Sequence, residues 1–220
     1  MTPTAMHREP RDVARQPRTP GVRPTADRPV GRYPVPSLEE LPEDMQARIV
    51  SVHEKLGFVP NVFWTLAHRP AEFRAFFAHF DGLMLKESGV TKAEREMIVV
   101  ATGAANHSVY CVAHHGAILR LRARNSTIAD QIATNYRRAN LPPRQRAMLD
   151  FAVKVATASD AIEDADFARL AAHGFSDEDV WDIGAIAAFF SYGSRMANLT
   201  DMRPNDEFYE LGRVLALKEA

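Results

Sequence analysis

The chain has 220 residues and a formal charge of −1, with 46% hydrophobic and 25% charged residues. That is the composition of an ordinary globular protein long enough to bury a sizeable core, and its charge argues neither for nucleic acid nor for an anionic membrane surface, so neither is expected as partner. No apolar run approaches the roughly eighteen residues of a membrane span, and a single cysteine, Cys111, excludes an internal disulfide framework and fits a reducing cytoplasm.

Residues 1–36 hold eight of the fourteen prolines and seven arginines against three acids, with almost no large apolar side chains. Such a segment cannot bury enough surface to offset its ordering entropy, so a disordered tail is expected over 1–36 and one helical domain over 37–220. The tail lacks the apolar stretch of a secretory signal, and its prolines forbid the amphipathic helix of a mitochondrial presequence.

From Ser37 the pattern is helical. Residues 38–57 carry apolar side chains at three and four spacing and stop at Gly57, a natural helix end. A short apolar helix lies between Pro60 and Pro70, with Phe63, Trp64 and Leu66 read as core or subunit interface. The next helix presents Phe73, Phe76, Phe77 and Phe80 as a broad apolar stripe. After the central stretch discussed below, Ser126 is expected to cap a helix, and Pro142 and Pro143 suit the first turn of another. A helix from Glu163 ends at Gly174. Ser176 with Asp179 starts the most apolar helix in the chain, and residues 205–219 form the last. No stretch alternates as a strand does, so the fold class is all-α.

The central stretch, residues 91–124, holds Cys111 with His107, His114 and His115 within four residues and Glu96 fifteen upstream. Thr91 and Glu94 form a capping box that starts a helix. Were it continuous, Glu96 and Cys111 would lie roughly 22 Å apart. Gly103, Asn106 and Ser108 instead predict a break near Asn106 and a helical hairpin. Folding back places Glu96 level with His115, and Cys111 and His115, four apart, share a face. A carboxylate, an imidazole and a thiol can then meet in a line. The first-turn position of Cys111 favours its thiolate, the nucleophilic form. His114 is expected to point about 100° away. His107, Cys111 and His115 could supply three metal ligands from one continuous helix, but the break leaves His107 outside it, and no metal is expected.

The spacing Glu96, eleven residues, Ser108, two residues, Cys111, three residues, His115 resembles the motif of the alkylhydroperoxidase D and carboxymuconolactone decarboxylase-like superfamily. Residues 54–70, 146–156 and 187–198 are similar to its uncharacterized peroxidase-related branch. The resemblance implies a helical bundle whose central hairpin carries the site, catalytic roles for Glu96, His115, Cys111 and position 108, and a homo-oligomer. Cys111 would attack a hydroperoxide with no cofactor beyond an external thiol, dithiol or redox protein as reductant. The family's first cysteine is Ser108 here, so no disulfide can close between 108 and 111. His107 and Tyr110, flanking the cysteine, are candidate pocket residues, while Ser108 is equally a plain helix cap. A lactone-decarboxylase-like lyase, and a catalytically reduced oligomer that binds a ligand or senses oxidants, are the alternative readings.

Overall fold

The computed structural model describes residues 22–23 and 29–213, and contains ten α-helices and no strand among them. A 3₁₀ turn at Leu38–Glu40 precedes α1 (Glu43–Leu56), because Pro42 interrupts what reads as one helix from residue 38. Then come α2 (Asn61–Ala67), α3 (Pro70–Met84), α4 (Lys92–Ala105), α5 (Val109–Ala123), α6 (Ile128–Asn135), α7 (Pro143–Thr157), α8 (Asp164–Ala172), α9 (Asp177–Thr200) and α10 (Glu207–Glu210). Thr127 rather than Ser126 occupies the start of α6. The last helix is far shorter than its apolar pattern suggests. It gives way to Gly212 at φ 76°, and the expected continuation over 214–219 lies outside the described residues.

Helix α4 is the hub, with every residue from Glu94 to Gly103 buried and with α5, α6, α7 and α9 packed around it. Its Ile98, Val99 and Val100 have no exposed surface, so truncating one to alanine would cost about 2–4 kcal/mol. The capping box is formed as expected. The Thr91 hydroxyl accepts from the Glu94 N–H, and the Glu94 carboxylate accepts in return from the Thr91 N–H at 3.0 Å. Buried Arg95 fastens the preceding loop by donating to the carbonyls of Leu83 and Val90 and to the Ser88 hydroxyl.

Two large apolar clusters and a small third one, Phe58, Ala117 and Phe208, build the interior. The first large cluster surrounds α4, α7 and α9; the second joins α1, α2 and α3 through Met45, Trp64, Phe63 and the Phe77 ring stacked on it at 4.2 Å. Phe76 packs against both, and the candidate site opens at this seam.

The tail expected over 1–36 is corrected over its described C-terminal part. Val30 is buried, its carbonyl accepts from the Arg203 N–H at 3.0 Å, and the Arg32 N–H donates to the Thr200 carbonyl at 2.7 Å. Gly31 between them allows this approach, since a Cβ there would lie 2.7 Å from the Thr200 oxygen. Tyr33 stacks on His68. Two backbone bonds and one apolar anchor hold a segment that composition alone could not place. The expectation for residues 1–21 and 24–28 falls outside the described residues.

Candidate active site

The break between α4 and α5 lies where the sequence places it. Asn106 ends α4, His107 turns the chain at φ 54°, and Ser108 caps α5 by accepting the Cys111 N–H at 3.3 Å. The two helices touch at Gly103, where a Cβ would lie 2.9 Å from that of Cys111. Any larger residue would push the thiol's helix away from the carboxylate's.

At matching depth in this hairpin, the Glu96 carboxylate sits 2.7 Å from Nδ1 of His115, with both residues almost wholly buried. Its other oxygen lies 3.0 Å from the Arg122 guanidinium, which also donates to the Lys92 carbonyl. Glu96 is thus no surface member of its charged run. Accepting from Nδ1–H fixes the imidazole's tautomer and leaves Nε2 as the lone-pair nitrogen. The arginine offsets the cost of burying the carboxylate.

Cys111 is 4% exposed and one turn away on the same face. Its sulfur accepts a hydrogen bond from the Ser194 hydroxyl of α9 at 3.5 Å. The expected thiolate is corrected here. Burial pushes the Cys111 thiol up from its ordinary value of 9.0 and outweighs the two serine hydroxyls at 108 and 194, which pull the other way. The helix start does not compensate for removing the sulfur from water.

Cys111 and His115 open on one cavity of about 230 Å³. Its walls are mostly aromatic and aliphatic, with Phe63 and Leu66 of α2, Phe76, Phe77 and Phe80 of α3, and Phe190, Tyr192 and Met196 of α9. The Phe190 ring meets the His115 imidazole edge to face at 4.7 Å. At the cavity's rim Arg48 is locked by two 2.8 Å bonds to Asp81 and lies over the Phe77 ring.

Of the two candidate pocket residues, Tyr110 belongs to this cavity and His107 does not. The Tyr110 hydroxyl accepts the Val62 N–H at 3.0 Å, tying α5 to α2, and its burial raises its pKa. His107 is exposed and lines a separate groove with Val109, Val112 and Phe208. His107, Cys111 and His115 therefore do not converge on one point.

His114 corrects the sequence reading in the opposite direction. It lines the same cavity, stacked on His115 at 4.7 Å and on Phe208 at 4.3 Å. Its Nδ1 is shut off from solvent and lacks a hydrogen-bond partner. Burial, and secondarily the neighbouring His115, holds its pKa well below the usual 6.5. Because the surroundings are apolar, the atom's burial governs rather than the residue's partial exposure.

Ser194, Arg122 and Phe190 escaped the sequence reading, whereas His114 was read but placed outside the site. Two signals existed: Arg122 stands two turns beyond His115 on the same face, and Ser194 is a small polar residue on the buried side of an apolar helix.

Comparison with known proteins fits this arrangement. Residues 70–133, which contain the whole hairpin, match the model of the carboxymuconolactone decarboxylase family. Among curated proteins none matches the chain. An uncharacterized peroxidase-related protein from Ralstonia eutropha JMP134, described as an alkylhydroperoxidase AhpD core, is 62% identical with a TM-score of 0.84, over 85% of this chain and 98% of its own. A second uncharacterized peroxidase-related protein, from Silicibacter sp. TM1040, is 40% identical with a TM-score of 0.81, over 84% and 97%. The debrominase Bmp8, in a complex with 2,3,4-tribromopyrrole, shares the fold at 20% identity and a TM-score of 0.63, over 77% and 89%. The coarse function that follows is peroxidase-related or carboxymuconolactone-decarboxylase-like. By its likeness to the Ralstonia and Silicibacter proteins along nearly their whole length, the chain belongs to the alkylhydroperoxidase D and carboxymuconolactone decarboxylase-like superfamily.

Proposed function

We propose that this protein is a thiol-dependent peroxidase acting on organic hydroperoxides. The observation that carries the reading is that His115, held from behind by buried Glu96, and the chain's only thiol open on one apolar cavity. In the resting state the raised pKa keeps the thiol protonated. When a hydroperoxide enters, Nε2 of His115 accepts the thiol proton while Nδ1–H stays on Glu96, and the sulfur attacks the terminal peroxide oxygen. The O–O bond breaks, the leaving alkoxide takes the proton from His115, and Cys111 is left as a sulfenic acid beside one molecule of alcohol. Ser194, donating to the sulfur, and Ser108, capping the helix, are positioning residues.

Position 108 holds no thiol, so reduction requires two equivalents of an external thiol, or a dithiol, which leave as a disulfide and release water. Such a reductant suits a cytoplasmic setting. No helix among the described residues is long and apolar enough to cross a membrane. A lyase reading, in which His115 moves a proton on an organic substrate, is favoured by one observation, the raised thiol pKa. An oxidant-sensing role would use the first half of the cycle alone.

One equivalent of cumene hydroperoxide added to the reduced protein tests the proposal. Wild type should consume it and Cys111→Ala should not, and added dithiothreitol should sustain further turnover. Equal consumption by the two proteins, or none by either, would overturn it.

A further inference from the structure

Of the Asp, Glu, Lys and Arg side chains among the described residues, Arg48 alone reaches the wall of the Cys111 cavity. A lone guanidinium on an apolar wall would draw a carboxylate into the site. Arg48 is not left alone. Asp81, one turn beyond Phe77 on the same face of α3, takes both of its terminal nitrogens in a fork, Nη1 on one carboxylate oxygen and Nη2 on the other, each at 2.8 Å. The Phe77 ring, itself part of the wall, carries the guanidinium 4.7 Å from its centroid. Asp81 does not line the cavity, so it cancels the charge of a wall residue from outside. His114 supplies no charge either, since burial keeps its imidazole neutral at ordinary pH. Glu96, behind His115, has its own counterion in Arg122 and offers nothing that attracts an anion. An anionic ligand would give up its hydration for carbon walls and a spent cation, whereas a neutral one loses little on entering.

We infer that the cavity selects uncharged ligands over carboxylated ones of the same shape, and that Asp81 sets this selection by cancelling the charge of Arg48. Asp81 is a specificity residue that acts through Arg48, not a catalytic one. The cavity's volume of about 230 Å³ lies below the roughly 300–1,000 Å³ of sites for drug-sized ligands, so a molecule of about one ring suits it. The extension to substrates rests on the proposed function: neutral hydroperoxides with a compact ring or branched alkyl group are the substrates, and the same molecules bearing a carboxylate are poor ones. A purely structural role for the Arg48–Asp81 pair predicts something different. Its side chains are 34% and 36% exposed, and an ion pair so open to water contributes little to stability and leaves ligand preference untouched.

Ligand-observed NMR titration of the full chain at neutral pH tests it, with cumyl alcohol, the product left by cumene hydroperoxide, and its para-carboxylated analogue as probes. Neither probe requires the thiol to react. Wild type should bind the alcohol about tenfold more tightly than the carboxylate. Asp81→Asn keeps the side chain's shape and releases Arg48, and should bring the two affinities within about threefold by tightening the carboxylate alone. Adding Arg48→Gln to Asp81→Asn should restore the wild-type preference, a reversal that a structural bridge would not give. Asp81→Ser makes the same release if the asparagine variant misfolds. Equal binding of the two probes by wild type, or no binding of the alcohol, would overturn the inference. So would a folded Asp81 variant with the wild-type ratio, or a shifted ratio that persists after Arg48→Gln. If the preferences follow this pattern while Cys111 leaves cumene hydroperoxide unconsumed, the selection stands and the peroxidase reading falls.

Discussion

His115 and His114 are neighbours in sequence and stack in space, yet they sit in opposite electrical surroundings. Around His115 the fold gathers a buried carboxylate and, behind it, a guanidinium. Around His114 it supplies two aromatic rings and leaves Nδ1 unpaired. Cys111, with its raised pKa and no charged group on its sulfur but only the Ser108 and Ser194 hydroxyls, belongs to the second environment. Charge is concentrated behind one wall of the cavity, and the reacting surface is kept neutral. Under the proposed function, a proton would move between the neutral thiol and the tautomer-fixed imidazole once a substrate links the two.

Removing the charged side should cost most. Glu96→Ala strands His115 Nδ1–H and deprives Arg122 of its partner, and we expect a loss of about 3 kcal/mol in urea unfolding. His114→Phe replaces an unpartnered buried nitrogen with carbon of similar shape, and should change stability by less than about 1 kcal/mol in either direction. Similar costs for the two variants would break the comparison.

A smaller effect sharpens it through pH. Above 6.5 His114 is neutral in both folded and unfolded chains. Below 6.5 the unfolded chain takes up a proton that the folded chain, with its depressed pKa, refuses. Stability is therefore full above that pH and falls as the solution is acidified toward the folded value. Between pH 6.5 and 5.5 the loss from this one group is at most about 1 kcal/mol, the limit in which the folded chain binds no proton there. His114→Phe should remove that portion of the slope, and an unchanged slope would place a hidden partner on His114.

The hairpin was legible in the sequence because its determinants are local. Thr91 with Glu94, Gly103 and Ser108 fix where two helices start and meet, and three-to-four spacing then puts Cys111 on the face of His115. What escaped notice is what distant helices supply. Ser194 and Phe190 arrive from α9 and Arg48 from α1, at separations no motif spans. His114 was misplaced because helical angle describes a helix with one buried face, whereas the cavity wraps a wide arc of α5. The thiol's pKa was misread for a related reason. A helix start is visible in sequence, but the burial that outweighs it is a property of the packed molecule.

In the proposed reaction His115, held by Glu96, moves the proton of Cys111 within the cavity. Its most direct measurement is the rate at which cumene hydroperoxide converts Cys111 to a sulfenic acid, trapped with dimedone and located by peptide mass spectrometry, in wild type and His115→Phe. The account predicts an adduct on Cys111 in wild type and a rate lower by about a hundredfold in the variant. No adduct on Cys111 in wild type, or equal rates in the two proteins, would contradict it.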